Sequence, residues 1–66
     1  MTAPAAMTRD ELVAEFQRLG FTCTGLPGQV YNLRRGTMQA NKARGADELT
    51  FLRERLRELR EAVDAQ

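Results

Sequence analysis

Between Ala46 and Ala65 the chain reads ADELTFLRERLRELREAVDA, and Leu49, Leu52, Leu56, Leu59 and Val63 recur at spacings of 3, 4, 3 and 4. Apolar residues at that spacing share one face of an α-helix, so whatever else the chain does it must bury this seam. The seam spans little more than two heptads, below the three or four that mark a coiled coil. Phe51 and Ala62 lie together roughly 100 degrees around the helical wheel from the leucines, which gives the helix a second apolar stripe. One stripe is expected to close the domain's own core near Phe16, Phe21 and Leu33 while the other meets a partner. The candidate protein interface is therefore Leu49, Phe51, Leu52, Leu56, Leu59, Ala62 and Val63.

A chain of 66 residues supports one domain. At this size folding buries only about 60% of the surface that the unfolded chain exposes, and such scaffolds usually need a staple. Cys23 is the single cysteine and there is no histidine, so neither an internal disulfide nor a zinc site of the usual ligands can serve. Association with a protein partner, most simply as a homo-oligomer, is what elimination leaves. Ten Lys and Arg against nine Asp and Glu give a net charge of +1, so the chain as a whole is not drawn to nucleic acid or anionic membrane and any such attraction must be local. MTAPAAM has neither the basic start nor the apolar run of a secretory signal, and no run approaches the roughly 20 residues of a membrane span. The expectation is a soluble, cytoplasmic protein.

Residues 1–6 are small, contain Pro4 and read as a disordered leader before a single domain over 7–66. Thr8 and Glu11 then form a T-x-x-E capping box, with Met7 and Leu12 at the staple positions around it. Leu12, Val13, Phe16 and Leu19 fall on one face, and Gly20 ends the helix, with Phe21 placed to meet Phe16 across a Schellman turn. The first helix is thus predicted over 9–19. Phe21 to Thr24 alternates, Gly25-Leu26-Pro27-Gly28 has turn chemistry, and Gln29 to Arg35 resumes with Val30, Tyr31 and Leu33. This predicts a hairpin with a four-residue loop, in which Phe21, Cys23, Tyr31 and Leu33 face the core, Thr22, Thr24, Asn32 and Arg34 face water, and Val30 is exposed or bulged. The segment Gly36 to Gly45 is open to a third strand, a loop or a helical start; a loop or short helical turn is favoured, because Asp47 and Glu48 suit the positive end of a new helix starting at Ala46. The expected fold class is α+β: helix, β-hairpin, amphipathic helix.

No catalytic constellation stands out. Without histidine the acid–base candidates are carboxylates, Lys42, Cys23 and Tyr31, and none is placed by pattern in an apolar pocket that would tune it. Cys23 reads as a core filler. The glycines match neither the P-loop nor the dinucleotide-binding spacing. An enzyme, a cofactor, a metal and a small-molecule substrate are therefore not expected. Arg34, Arg35, Lys42 and Arg44, with Tyr31, Asn32, Gln39 and Asn41 nearby, form the one basic edge that could contact nucleic acid, since phosphates are held by Arg, Lys and amide donors.

Met7-Thr8-Arg9-x-Glu11-Leu12 at the first helix, the strand pair around Gly25 to Gly28, and Asp47-Glu48-Leu49 to Leu59 as the closing helix cover most of residues 7–65. In this order they resemble the gpW-like head-tail joining proteins of tailed phages. The resemblance implies a ring-forming virion connector seated between portal and tail, without catalytic residues. The chain departs from that pattern in its longer Gly36 to Gly45 connection and in having no stretch after the second helix. The expected function is a non-enzymatic interaction or structural protein. The alternatives are a nucleic-acid-binding regulator and a phage-type inhibitor of a host protein.

Overall fold

The computed structural model describes residues 4–26 and 28–65. Helix α1 spans Arg9–Arg18, strands β1, β2 and β3 span Thr22–Thr24, Asn32–Arg35 and Met38–Asn41, and helix α2 spans Glu48–Asp64. The strands form one antiparallel sheet in the order β1-β2-β3. The architecture is α+β, as the patterning predicts, with one more strand than expected.

Helix α1 is bounded as its sequence dictates. Thr8 Oγ1 accepts from the Glu11 N–H at 3.2 Å, and the Glu11 carboxylate accepts from the Thr8 N–H at 2.9 Å, closing both halves of the capping box. At the other end Gly20 adopts a φ of 97°. The Phe21 N–H donates to Phe16 at 2.9 Å and the Gly20 N–H to Gln17 at 3.0 Å, the paired bonds of a Schellman motif. The Phe16 and Phe21 rings meet edge to face at 5.7 Å, so the turn that stops the helix also packs the core.

Three expectations are corrected. The segment after Gly36 is a strand rather than a loop or helical turn: Gly36, with φ of 59°, and Thr37 make a two-residue hairpin loop that returns Met38–Asn41 along β2. Positive φ at the first loop residue alone is the type II′ pattern, for which glycine in that position is the usual signal. Second, the β1–β2 ladder ends at Thr24↔Asn32, and the expected four-residue loop is longer. Val30 is turned inward to 8% exposure and Tyr31 outward to 42%, the reverse of the alternation read from sequence. The cause is Glu48, whose carboxylate accepts the Val30 N–H and draws that residue out of the ladder and under the start of α2. Third, Pro4–Ala6, read as leader, form a 3-10 turn against α2. Residues 1–3 of that leader and Pro27 of the turn lie outside the described residues.

The core consists of Met7, Leu12, Phe16, Phe21, Val30, Leu33, Phe51, Leu52 and Leu56. Full burial of a leucine contributes about 1.5–3 kcal/mol, and Leu12, Leu33, Leu52 and Leu56 are each completely buried. Each apolar stripe of α2 contributes to this core, the second through Phe51. Leu52 and Leu56 lie at the centre, Leu49, Leu59 and Val63 pack half-buried against it, and Phe51 closes the β3 side instead of facing outward. Ala62 is half-buried. The third strand adds to this core, with Met38 and Ala40 packed half-buried against the same cluster.

Candidate functional site

The helices cover one face of the sheet and leave the other open. Cys23, Leu33 and Ala40 share the covered side through the pairs Cys23↔Leu33 and Leu33↔Ala40. Alternation then places Thr22, Arg34 and Gln39 in one row on the open face and Thr24, Asn32 and Asn41 in the next. All six are polar, all can hydrogen-bond through their side chains, and none is acidic. Asn32 is half-buried and the other five are exposed.

The second row is tied across the strands. Thr24 Oγ1 donates to Asn32 Oδ1 at 3.3 Å, and Asn32 Nδ2 donates to Asn41 Oδ1. Such a ladder holds the carboxamides in place while leaving the Asn41 NH2 group at its end. The first row is centred on Arg34, with a hydroxyl on one flank and a carboxamide on the other.

Charge is divided between the two layers. Residues 19–46, which contain the whole sheet, carry four of the ten cations and none of the nine acids. Every carboxylate side chain belongs to α1, α2 or the residues capping them. A chain of near-neutral total charge thus has a basic sheet layer and an acidic helical layer.

The four residues of the predicted basic edge are not brought together. Arg34 is exposed in the middle strand on the open face. Arg35 is half-buried and runs to the other side, where its Nε lies 3.2 Å from the position a Cβ on Gly20 would take, at the C-terminal end of α1. A cation there suits the negative end of the helix dipole. Lys42 Nζ donates to the carbonyls of Ala46 at 2.7 Å and Ala43 at 3.3 Å, bracing the turn before α2. Arg44 is exposed on that turn, at the opposite end of the sheet from Arg35. What the fold assembles is Arg34 with five neutral polar side chains, of which Thr22, Thr24, Asn32, Gln39 and Asn41 were legible as polar but not as one surface without the β3 register.

Cys23 is half-buried and burial pushes its thiol pKa up, away from the thiolate a nucleophile needs. Among the described residues no group of three or more His, Cys, Asp or Glu side chains is placed to hold a metal ion, and no helix is long and apolar enough to cross a membrane. No protein-family model matches the chain, and neither the curated proteins nor the solved structures provide a match.

Proposed function

We propose that this protein binds nucleic acid, laying the open face of its sheet against the duplex. The observation that carries the reading is the acid-free face of Arg34, Gln39, Asn32, Asn41, Thr22 and Thr24, backed by a layer that holds all the carboxylates. Arg pairs bidentately with guanine, Asn and Gln with adenine, and Ser or Thr with either. The major groove, about 12 Å wide, accepts β-strands as well as helices. Arg44, exposed on the turn before α2, supplies a phosphate contact at one end of the sheet. Fluorescence anisotropy with a labelled duplex over a salt series tests this. With Arg34 and Arg44 as the two exposed cations of the sheet layer, two neutralised phosphates predict a log K against log salt slope of about −2. Arg34→Glu should abolish binding and Lys42→Glu should weaken it less, because the Lys42 ammonium is already engaged on loop carbonyls. No binding at low salt, or binding untouched by Arg34→Glu, overturns the reading.

A second reading is a structural or inhibitory protein that works by protein contact as a subunit of an assembly, in the cytoplasm or, as a gpW-like connector, in the virion. Of the predicted α2 interface, Phe51, Leu52 and Leu56 are buried in the core, while Leu49, Leu59, Ala62 and Val63 stay half-buried. Its support is the free edge of β3.

A further inference from the structure

We propose that β3 pairs antiparallel with β3 of a second copy of this chain, joining two three-stranded sheets into one of six. The inference deepens the second reading above by naming the partner and the surface, and it stands whether or not the sheet binds nucleic acid.

The direction of the backbone groups follows from the ladder. The Lys42 N–H donates to the Tyr31 carbonyl at 2.8 Å. In an antiparallel pair the hydrogen-bonding direction alternates residue by residue, so Ala40 and Met38 also turn toward β2, and Gln39 and Asn41 turn their N–H and C=O groups away from it. Among the described residues no strand lies beyond β3. Exposed edges of this kind are normally blunted by charge, proline or a bulge. Met38-Gln39-Ala40-Asn41 has no charge and no proline, and its register with β2 runs without a bulge.

A second copy fits that edge better than an arbitrary strand, because the edge is complementary to itself. A two-fold axis through Ala40 sets Gln39 opposite Asn41 of the other copy and Asn41 opposite its Gln39. Both are pairs of outward-turned residues, so four backbone hydrogen bonds form and no edge group is left over. On the open face the same pairing places carboxamide against carboxamide, each able to donate and accept. At the axis Ala40 meets Ala40, where the close approach of a non-hydrogen-bonded pair, about 4.5 Å between Cα atoms, is easily filled by methyl groups. Behind the edge, β3 and α2 enclose a groove of about 370 Å³ lined by Ala43, Ala46, Thr50 and Phe51 and by two acids and one base, Asp47, Glu54 and Arg55. The joined sheet would place the two Arg34 strands three strand spacings apart, about 14 Å, on one continuous open face.

Sedimentation velocity over a dilution series, with amide hydrogen exchange at each concentration, tests the pairing. A dimer that dissociates on dilution is expected, with exchange at the Gln39 and Asn41 amides slowed by roughly tenfold or more at the high concentration. The double variant Gln39→Lys/Asn41→Lys places lysines opposite lysines across the axis and should be monomeric with an unchanged circular dichroism spectrum. Gln39→Lys/Asn41→Asp places lysine opposite aspartate and should restore the dimer. That swap is specific to this register, because a pairing of Gln39 with Gln39 would put like charges together. A monomer at every concentration, with both wild-type amides exchanging freely, overturns the proposal. So does a dimer that the double-lysine variant leaves intact. Duplex binding measured on the same samples separates this outcome from the nucleic-acid reading.

Discussion

Arg9 Nε donates to Glu48 Oε1 at 2.9 Å, joining the first residue of α1 to the first residue of α2. The second oxygen of Glu48 accepts the Val30 N–H, so one carboxylate, 16% exposed, binds both helices to the loop that precedes β2. Each helix presents its first turn here, where a carboxylate is favoured by the dipole of its own helix. Glu48 is thus the joint between the helical layer and the sheet.

Removing that joint should be expensive for a surface-adjacent residue. Glu48→Ala strips the Val30 N–H of its acceptor in a half-buried setting and leaves Arg9 without its partner across the helices. A half-buried donor left unsatisfied costs about 1–3 kcal/mol. Glu48→Gln keeps an acceptor for Val30 and should cost less. Urea denaturation of the two variants checks the order, and a Glu48→Ala loss below that of Glu48→Gln would remove Glu48 from this role.

Gly25 is fixed by close approach rather than by its dihedral angles. A Cβ there would stand 2.0 Å from the Gln29 carbonyl oxygen and 3.0 Å from Tyr31 Cδ1. Gly28 has a positive φ of 79° but open space around it. Gly25→Ala should therefore destabilise by about 1–3 kcal/mol, the range for forced overpacking, and by more than Gly28→Asn, since asparagine tolerates the left-handed region. Thermal melts of the two variants decide it.

The helices were legible because their signals are local. Thr8 with Glu11, Gly20 with Phe21 and the leucine spacing of α2 all act within a few residues, and each appears as read. The β3 strand had a local signal too: Gly36-Thr37 is a two-residue hairpin loop and Met38 to Asn41 alternates. It was outweighed by the acidic residues that follow, and with β3 went the grouping of Arg34 with Gln39 and Asn41. Val30 and Tyr31 had no such signal. Their exchange of sides depends on Glu48, 18 residues beyond Val30, and no periodicity reports a contact of that span.

Acid should lower the stability of this protein through three carboxylates. Glu11 is held below the usual carboxylate pKa by the Thr8 N–H and then its hydroxyl, Glu15 by the Arg18 guanidinium, and Asp47 by the Thr50 N–H and then its hydroxyl. A carboxylate depressed in the folded state contributes stability that is complete above its unfolded pKa, about 4, and is lost as pH falls through its folded value. Melting temperature should hold from pH 7 to about 5 and fall below that. Thr8→Ala should lower the melting temperature at pH 7, by about 1 kcal/mol in stability, and flatten the acid limb. A parallel downward shift, with the acid limb unchanged, would take Glu11 out of the linkage.

Leu56 separates a core seam from an interface seam. Completely buried among Leu52, Phe16 and Leu12 in the same cluster, it should not tolerate a carboxylate. Leu56→Ala alone should cost about 2–5 kcal/mol, much of the margin available to so small a domain. Leu56→Glu adds the burial of a charge and should abolish the dispersed amide spectrum. Glu58→Lys, two residues on, replaces an exposed partner of Arg55 and should stay within about 0.5 kcal/mol of wild type. If Leu56→Glu gave a folded monomer with wild-type dispersion, the leucine seam would belong to an interface and the closing of the core would fall to other residues.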